Sequence, residues 1–569
     1  MPLTQEIIDR FFANNADIQI PGEQVPATSS GNRVEHLIDG ENYFSALTDE
    51  IGRLQTGAGF GRFFYFANWW AGLVETPAAV GSVGPSISAW FGTGPGPTFT
   101  PLILGKGCGS QGGTLLIDQL TSLASDHDVD VRSLVWMSPV VMNEFAGALA
   151  PGSNLLGEIY WTGRAHSIRS AQTLRSRIGH DRVVLNVLAH PLGSWHVKMV
   201  VCGDDNGMRA YVGGMDLVCD KYSETTHPPG NHWHDAAVKV EGPAAITIFD
   251  YFQQIWNEQR GRGITRFLIN GSEVPSHYSD TLPSTTAPVT LPQVSNIGTQ
   301  SVQVLRTCPK TSISLPSFSV ADVFERILLF TTGQQPLSFA PDGQFQFRMA
   351  LRKAISGAQN YVYIEDQSFV GQEIMQWLNA RLSQVPDLKV IMVWGADPGD
   401  PPNIFIRVSM EILTTGLTPT EASNRIVFCH YNDVTVHSKI FIIDDLWATI
   451  GSCNCARRSL YLDAEVNVGV LDDATTTFAK QLRKDLWAEH CNIKPGTPES
   501  DQLLPLDQAL GIWDPTWATS SLPQGIVRKS ALEKMIIPFE YADPPGPGQW
   551  ETKFNGQPLF YDFFDGDSR

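Results

Sequence analysis

Apolar and polar residues recur along the chain with two periods, and these periods follow one another in the same order in each half. A helical pattern covers residues 43–54 in the first half, and a matching one covers 345–356 in the second. Short apolar runs of strand length follow each helix, bounded by polar or glycine-rich turns. Further strands are predicted at 63–70, 131–136, 183–188, 361–365, 388–394, 440–443 and 447–450, with helices at 114–124 and 373–382. This alternation predicts an α/β fold of two similar lobes, each a mixed, largely parallel sheet flanked by helices.

A stretch rich in Ser, Thr and Pro separates the two repeats at residues 271–299. Such composition is typical of a linker or surface loop. We therefore predict an N-terminal lobe at 1–272, a linker at 273–300, a C-terminal lobe at 301–495 and a C-terminal extension at 496–569.

Composition narrows the class of protein. The 569 residues are 42% hydrophobic and 17% charged, which is typical of a globular chain, and the net charge of −19 argues against general nucleic-acid binding. We find no secretory signal and no apolar run of 18 residues, so we expect no transmembrane segment. The eight cysteines are scattered, and we expect free thiols in a reducing compartment. These features predict a cytoplasmic or peripheral membrane protein, although export without a signal would leave the same sequence.

The segment 435–454 contains a motif with the chemistry of phosphate esters. His437, Lys439 and Asp444 follow the spacing H-x-K-x4-D, and a glycine turn comes seven residues later. An imidazole beside an ammonium group suits reaction at an anionic phosphorus centre, because lysine neutralises the phosphate while histidine acts on the bond. Alone, the motif is more typical of a buried histidine beside a solvated lysine.

A second copy of the motif changes this interpretation. Each half places H-x-K before a glycine turn and an acidic residue. The first copy comprises His196, Lys198, Gly213, Gly214, Asp216 and Asp235, and the second comprises His437, Lys439, Gly451, Ser452, Asn454 and Glu465. Two sets in the same order predict one shared phosphodiester site.

The copies differ at two positions. Gly203 stands where the second copy has Asp444, and the nearest acid, Asp204, comes one residue late. Either a bulge restores the position of Asp204 or its role is absent from the first lobe. Asp216 stands where the second copy has Asn454, which predicts unequal contacts to phosphate.

The sequence resembles the phospholipase D superfamily over residues 37–472. The resemblance extends beyond H-x-K to 364–369 (IEDQSF), 302–306 (VQVLR), 451–459 (GSCNCARRS), 213–217 (GGMDL) and 233–235 (WHD) with Gly242-Pro243. It implies two lobes related by a pseudo-twofold axis, with one active site where the H-x-K strands meet. It also implies a two-step reaction without a metal or other cofactor.

The resemblance further implies a role for each site residue. His196 attacks phosphorus to form a phosphohistidine, and His437 acts as acid and then base. The two lysines, Lys198 and Lys439, hold the phosphate oxygens, and Asp235 and Glu465 accept the other ring N–H of the histidines. Substrate contacts are expected from Ser452, Asn454, Asp216 and the backbone amides of Gly213 and Gly214. Asp204 and Asp444 are expected to be structural.

Other residues near these motifs suggest further contacts. Trp195 adjoins His196 and is expected to wall the substrate pocket, where an aromatic face suits a choline cation. Trp69 and Trp70 are equally consistent with pocket lining or core packing. His232 and His234 flank Trp233, and contact with a headgroup is favoured there over metal binding.

The motifs favour a phospholipase D that releases phosphatidic acid from glycerophospholipids at a membrane or micelle surface. Water or an alcohol would be the acceptor, and no nucleic-acid partner is expected. A nuclease or a phosphatidyl-transferring lipid synthase of the same superfamily is the first alternative. A non-catalytic lipid-binding protein is the second, and the intact His196, Lys198, His437 and Lys439 argue against it.

Overall fold

The computed structural model describes most of both lobes. The described residues are 4–57, 61–74, 102–103, 107–108, 114–136, 167, 169–186, 188, 193–228, 233–262, 297–310, 336–395, 404–432, 434–473, 476–520, 525–534, 553–554 and 557–558. Most of the predicted linker at 273–300, much of the extension beyond 520, and His232 lie outside these ranges.

The described part of the first half contains ten strands and several helices. The strands are β1 (Ala27–Ile38), β2 (Phe63–Asn68), β3 (Leu102–Ile103), β4 (Gly107–Cys108), β5 (Asp130–Trp136), β6 (Val183–Asn186), β7 (Met199–Asp204), β8 (Gly207–Gly213), β9 (Trp233–His234) and β10 (Ala236–Glu241). The α-helices are Gln5–Phe11, Asp39–Thr56, Leu116–Ser125 and Pro243–Arg262, and the short 3₁₀ helices are Asn15–Asp17, His180–Arg182 and Cys219–Lys221.

The described part of the second half repeats this arrangement. Its strands are β11 (Gln300–Cys308), β12 (Gln344–Phe345), β13 (Tyr361–Asp366), β14 (Lys389–Trp394), β15 (Ile426–Tyr431), β16 (Thr435–Val436), β17 (Lys439–Ile443), β18 (Trp447–Gly451), β19 (Glu465–Leu471), β20 (Leu532–Lys534), β21 (Lys553–Phe554) and β22 (Gln557–Pro558). The α-helices are Gln346–Gly357, Gln372–Gln384, Ile404–Leu413, Pro419–Arg425, Arg457–Tyr461, Phe478–Glu489 and Leu506–Ala509, and the 3₁₀ helices are Ser500–Leu503, Leu510–Ile512 and Pro515–Trp517.

The two halves form corresponding arms of one large sheet. Its order is β20-β15-β14-β13-β17-β18-β19-β11-β1-β10-β8-β7-β2-β5-β6. Read outwards from the central pair, β1-β10-β8-β7-β2-β5-β6 matches β11-β19-β18-β17-β13-β14-β15 strand for strand, with the same parallel and antiparallel pairings. The antiparallel pairing of β1 with β11 is what a pseudo-twofold axis between the arms requires.

The predicted α/β class is confirmed, but the expectation of a largely parallel sheet is wrong. Only the outer strands of each arm, such as β2 with β5 and β13 with β14, pair in parallel within it. The strand that follows each H-x-K motif instead turns back through a short connection, which is residues 205–206 between β7 and β8 and residues 444–446 between β17 and β18. Such short connections permit only antiparallel neighbours, whereas parallel strands need long crossovers.

Strand β1 joins the two arms because it belongs to both. Its first part pairs with β11 from Ala27 to Asn32, and its second part pairs with β10 from Arg33 to Ile38. The register with β11 shifts between Ser29 and Asn32, where Gly31 has a φ of +81° that suits glycine. The bend therefore lets one continuous strand pair with sheets from both lobes.

The hydrophobic core is divided by the sheet. One apolar cluster covers the outer face of the first arm under the helix Asp39–Thr56, and another covers the second arm under Gln346–Gly357. A third cluster lies between the arms and contains residues of both lobes, including the helices Pro243–Arg262 and Phe478–Glu489. Strands β2 and β13 are buried on both faces, which explains their largely continuous apolar sequences.

The cysteines match the expectation of free thiols only in part. Cys219 is disulfide-bonded, so the expectation of free thiols is wrong there, while Cys202, Cys308, Cys429, Cys453, Cys455 and Cys491 are free and buried. Scattered spacing in the sequence gave no sign of this bond. None of the helices in the described ranges combines the length and apolar character needed to cross a membrane.

Candidate active site

Both H-x-K motifs lie where the lobes meet, and each is held by the backbone of the other lobe. His437 donates its backbone N–H to the carbonyl of His234, at 2.7 Å, next to the parallel pairing of β16 with β9. His196 donates in the same way to Ala464, at 2.9 Å, next to a bridge between Trp195 and Ala464. The residue after each acceptor is an acid, Asp235 or Glu465. This pairing therefore delivers an acid from one lobe to the histidine of the other.

The two histidines hydrogen-bond to those acids through Nδ1. His437 Nδ1 lies 2.6 Å from Asp235 Oδ2, and His196 Nδ1 lies 3.0 Å from Glu465 Oε2. The carbonyl of Ser452 is also 3.1 Å from His196 Nδ1. Each arrangement leaves Nε2 as the ring nitrogen available for chemistry, as the acid does in a hydrolase triad. Each imidazole is 7% exposed, so the site is largely withdrawn from water but still open to a substrate.

The lysines lie beside the histidines and are almost completely buried. Each Nζ donates to the backbone carbonyl of the histidine two residues before it: Lys198 to His196 at 3.0 Å, and Lys439 to His437. Lys198 Nζ is also 3.4 Å from Asp216 Oδ2. On the other side, Lys439 stands opposite Asp366 on the neighbouring strand β13. Each ammonium group is thus fixed beside the histidine of its own motif.

Burial and mutual charge set the ionisation of the site. Burial lowers the pKa of His196 and of His437 well below 6.5, and the ammonium groups nearby lower it further. Burial also lowers the pKa of Lys439 to about 8. Burial raises the pKa of Asp235 and of Glu465 to about 7, against the opposing effect of the lysines. Each histidine–carboxyl pair therefore takes up or releases a proton near neutral pH as a unit.

Gly213 and Gly214 are at the site for a steric reason. Their backbone amides are already used, Gly213 by the carbonyl of Lys198 and Gly214 by that of Ala236. The prediction that these amides contact phosphate is therefore wrong. A Cβ on Gly214 would overlap the Asp235 carboxylate and approach the carbonyl of His437. The glycine turn thus makes room for the acid and the histidine strand to come together.

Asp216 and Ser452 support the site instead of facing a substrate. Asp216 accepts the backbone N–H of Trp70 at 2.8 Å and neutralises Lys198, so its carboxylate would repel a phosphate and the predicted substrate contact is wrong. Ser452 is fully buried and its hydroxyl bonds both backbone groups of Val466, which likewise contradicts a direct contact. Asn454 is partly exposed, and its buried Oδ1 has no hydrogen-bond partner within the described residues.

The tryptophan that contacts His196 with its ring is Trp69, not Trp195. Trp195 is 1% exposed and packs against Tyr251 in the central cluster, so the prediction that it walls the substrate pocket is wrong. Its strand pairing with Ala464 turns the side chain into the core. The Trp69 ring instead lies edge-on to His196 and 5.1 Å from Lys198 Nζ, and it stacks on Trp70.

The two motif acids have different surroundings. Asp444 accepts the backbone N–H groups of Gln359, Asn360 and Tyr361 and an ion pair from Arg10, so it fixes the start of β13. Asp204 pairs with Arg53 instead.

Strand β7 reaches Asp204 in regular register with β8, without the bulge considered above. A Cβ at Gly203 would overlap the Phe63 ring. The role of Asp444 is therefore absent from the first lobe.

Sequence reasoning missed two charged residues at the site. Lys221 is buried, its Nζ lies 2.9 Å from the centroid of the Trp233 ring, and that ring is edge-on to His437. Burial lowers the pKa of Lys221. Asp366 faces Lys439, and burial raises its pKa to about 7. Asp366 follows Glu365 in the IEDQSF segment, a signal that was available, whereas Lys221 belongs to no repeated motif.

Comparison with known families agrees with this geometry. The phospholipase D family profile matches residues 227–393, and the profile of the cardiolipin synthase, PLD-like domain matches residues 351–489. Residues 227–489 thus carry phospholipase D superfamily domains, which belong to a group of phosphodiesterase-type enzymes. His437 and Lys439 lie inside the second match, while His196 and Lys198 lie outside both and are assigned from the site itself.

Individual relatives are distant. Phospholipase D alpha 1 of Cynara cardunculus is 22% identical over 513 residues, covering 70% of this chain and 61% of the relative. Cardiolipin synthase of Staphylococcus aureus strain N315 is 25% identical over 295 residues, covering 51% of this chain and 45% of the relative.

Phosphatidylserine synthase of Haemophilus influenzae Rd KW20 aligns with a TM-score of 0.43 at 13% identity, covering 80% of this chain and 85% of that structure. The chain thus spans less than two thirds of the length of the curated relatives named here.

Proposed function

We propose that this chain is a phospholipase D, which cleaves the phosphodiester between phosphatidate and the headgroup of a glycerophospholipid. The observation that carries the proposal is the pair of buried histidines at the lobe junction, each held through Nδ1 by an acid of the other lobe and flanked by a buried lysine. A lipid substrate is favoured over nucleic acid for two reasons. The net charge is −19, and the relatives include a phospholipase D and a cardiolipin synthase.

The first step replaces the headgroup by a histidine. Nε2 of one imidazole attacks phosphorus, and the P–O bond to the headgroup alcohol breaks. The opposite imidazole donates its Nε2 proton to the departing oxygen, so a neutral alcohol leaves and a phosphatidyl-histidine forms. Lys198 and Lys439 stabilise the charge that builds up on the non-bridging oxygens.

The second step reverses these roles. The imidazole that gave up its proton now takes one from a water molecule, whose oxygen attacks phosphorus and breaks the P–N bond. Phosphatidic acid and the free histidine are the products. A primary alcohol that reaches the site in place of water gives the phosphatidyl alcohol, so transphosphatidylation accompanies hydrolysis.

The raised pKa of the acids supplies the proton that the first step needs. A neutral imidazole beside a protonated carboxyl holds the same number of protons as an imidazolium beside a carboxylate. Since the pKa of Asp235 is raised to about 7 by burial, the His437–Asp235 pair keeps one transferable proton up to about neutral pH. The short contact of 2.6 Å between them suits this sharing.

The assignment of His196 as nucleophile comes from the resemblance. Burial, and then the nearby ammonium groups, lower the pKa of both histidines well below 6.5, so the local charges give no order between them. The order of attack is therefore decided by trapping the covalent intermediate.

A phosphatidyl-transferring synthase is the second candidate. It is favoured by the match of residues 351–489 to the cardiolipin synthase, PLD-like domain, which contains the whole second motif. The two reactions share the phosphatidyl-histidine and differ only in the acceptor. The acceptor is water for the phospholipase and a lipid hydroxyl for the synthase.

The test presents both kinds of acceptor to the same protein. We expect vesicles of phosphatidylcholine with ethanol and EDTA to give phosphatidic acid and phosphatidylethanol, detected by mass spectrometry. Cardiolipin from phosphatidylglycerol vesicles, without phosphatidic acid, would identify the synthase instead. No product from either lipid would contradict both proposals.

Variants separate the roles of the histidines. His196→Ala and His437→Ala should each abolish turnover, while His36→Ala, which removes a histidine paired with Asp485 outside the site, should retain it. Covalent phosphate that is lost in His196→Ala and kept in His437→Ala supports the resemblance, and the opposite result identifies His437 as the nucleophile.

A further inference from the structure

A second cluster of histidines and acids lies one residue away from Asp235. His227, His234 and Asp39 come from the N-terminal lobe, and Glu489 comes from the end of the helix Phe478–Glu489 in the C-terminal lobe. One nitrogen or oxygen from each lies within 4.8 Å of all the others, and every side chain is at most 3% exposed. Within the described part of the chain, these four residues form the one group of His, Cys, Asp and Glu side chains that has this spacing.

The nitrogen and oxygen atoms that face each other in the cluster, with both oxygens of Asp39 included, lie at distances close to those between ligands of one small ion. His227 Nε2 lies 2.8 Å from Glu489 Oε1 and 3.7 Å from Asp39 Oδ2. His234 Nδ1 lies 3.1 Å from Asp39 Oδ1 and 3.2 Å from Glu489 Oε1. Tetrahedral zinc with bonds of about 2.1 Å separates its ligand atoms by about 3.4 Å.

Both imidazoles have an acceptor on the ring nitrogen that points away from the cluster. His234 Nε2 lies 2.9 Å from Glu365 Oε2, and His227 Nδ1 lies 3.2 Å from Ser223 Oγ. A histidine that ligates a metal through one nitrogen donates its other N–H to a carboxylate or a similar acceptor. The contact of His234 with Glu365 is a carboxylate–histidine pair of this kind.

The acids retain unused ligand capacity. Asp39 Oδ2 and Glu489 Oε2 are buried and accept no hydrogen bond from any described residue. Buried carboxylate oxygens without a partner are costly, and a cation would satisfy both. Asp39 and His227 also have φ of +62° and +45°, a backbone conformation uncommon for residues other than glycine that persists where the surroundings require it.

The cluster is absent from the equivalent place in the other half. Register and motif spacing align His234 with Ala464 and Glu365 with Ala67. Alanine can neither ligate an ion nor orient a ligand, so the symmetry of the fold does not require these residues. The cluster thus occurs on one side of the pseudo-twofold axis and has the features of a binding site.

We propose that Asp39, His227, His234 and Glu489 bind one divalent transition-metal ion, and that zinc is the metal that fits this site best. Two imidazole nitrogens and two carboxylate oxygens form a ligand set that zinc accepts, and four ligands suit a closed structural site. The ion joins the lobes, because Glu489 lies in the second and the other ligands in the first. The reaction proposed above does not use it.

The position of the ion gives it a role in holding the acid of the active site. The backbone N–H of Asp39 donates to the carbonyl of Asp235 at 2.7 Å, and Asp39 Oδ1 accepts the N–H of Asp235 at 3.2 Å. The carbonyl of His234 accepts the N–H of His437 at 2.7 Å. Two ligands of the ion therefore flank the Asp235–His437 contact through the backbone.

The experiment measures metal in the intact chain. Protein produced without a histidine tag is incubated with ZnCl₂, passed through a desalting column into metal-free buffer, and analysed by inductively coupled plasma mass spectrometry. We expect about one zinc per chain for the wild type, and at least a fivefold loss in Glu489→Gln and in His234→Gln, since removing one of four ligands weakens binding strongly.

Asp485→Asn is the matched control. It lies on the same helix as Glu489 and contacts His36 and Lys484 instead of the cluster, so it should bind zinc like the wild type. Equal zinc in Glu489→Gln and Asp485→Asn would overturn the proposal, as would a wild type that retains no zinc. In that case the cluster is a network of ion pairs only.

X-ray absorption at the zinc edge keeps the test independent of whether a variant folds. The wild-type spectrum should show a shell of nitrogen and oxygen with the multiple-scattering signature of imidazole. Sulfur ligands, or no imidazole, would place the ion elsewhere and overturn the assignment.

Discussion

The histidine of each H-x-K motif is hydrogen-bonded to a carboxylate from the opposite lobe. At Glu465 this contact is reinforced by the hydroxyl of Ser459, 2.6 Å away, and at Asp235 by the backbone N–H of Ala236, 2.7 Å away. A carboxylate held in this way can bond only to one side of its histidine. The orientation of Nε2 therefore depends on residues that are remote in sequence.

Replacing either acid by its amide should reduce turnover without unfolding the protein. We expect Asp235→Asn and Glu465→Gln each to lower kcat by about 10³-fold, because an amide neither fixes the tautomer nor stabilises imidazolium. Steady-state release of headgroup measures this loss. Glu373→Gln, which breaks a contact with Arg348 and Tyr461, should remain within about threefold of the wild type. A loss of no more than about threefold in Asp235→Asn or in Glu465→Gln would contradict the role assigned to that acid.

The ionisation of Lys439 should appear in the pH profile. Its pKa is lowered by burial to about 8, so its ammonium is present below that pH and is lost as the pH rises through 8. We expect kcat/KM, which reports the free enzyme, to fall in two stages: above a pH of about 7 as the His437–Asp235 pair loses its proton, and again above about 8 as Lys439 loses its charge. Lys439→Arg should move the second stage to higher pH, because guanidinium stays charged. An unchanged limb would mean that another group controls it.

Sequence reasoning identified the chemical groups at the residue scale but not their surroundings. The repeat marked His196, Lys198, His437 and Lys439, and the structure brings all four to one junction. Spacing alone could not show that Trp195 points into the core or that Gly214 makes room for Asp235, because both depend on strands from the opposite half. Ser452 and Asp216 were misplaced for the same reason.

At the scale of elements, the helices and strands that periodicity predicted agree with the structure within a few residues, but helices such as Pro243–Arg262 and Phe478–Glu489 were not predicted. The predicted strand 361–365 is β13 (Tyr361–Asp366), and the predicted helix 373–382 is Gln372–Gln384. These segments combine long apolar patterns with clear turn residues, which is where such reasoning works best. Whether neighbouring strands pair in parallel or antiparallel could not be predicted. The direction depends on the length of the connections, and periodicity does not define where these begin and end.

Asp444 offers a test of how one element is fixed. Its carboxylate accepts three backbone N–H groups ahead of β13 and an ion pair from Arg10. We expect Asp444→Asn to lower the free energy of unfolding by about 2 kcal/mol, because the amide turns a donor towards other donors. Asparagine also tolerates the φ of +56° found there, so backbone strain is not the cause.

Unfolding in urea measures the change, and activity per folded molecule should be preserved. Gln359→Ala is a suitable control, since its contact with Asp444 uses only the backbone and should survive. A loss no larger than about 0.5 kcal/mol in Asp444→Asn would contradict the structural role.

At the scale of the whole molecule, the two lobes share a strand and a core. β1 pairs with both β10 and β11, and the central apolar cluster contains residues of both lobes. The sequence predicted two lobes from the repeat, but it contained no signal for a single sheet running through both.

We expect the lobes to unfold together. Separating them would break β1 from one of its partners and expose the shared apolar cluster, so a state with one lobe folded is costly. Tryptophan fluorescence and far-ultraviolet circular dichroism should therefore give coincident urea transitions. Two resolved transitions, or different midpoints from the two probes, would show that the lobes are independent.

The exchange of acids across the pseudo-twofold axis also has a consequence for ancestry. A single half holds a histidine and an acid that cannot reach each other, so it is inert by itself. Two identical halves arranged about that axis would complete both histidine–acid pairs at once. The geometry is therefore that of a symmetric dimer fused into one chain, after which each copy could diverge without its twin. His234 opposite Ala464, and Asp444 opposite Gly203, are positions where that divergence has occurred.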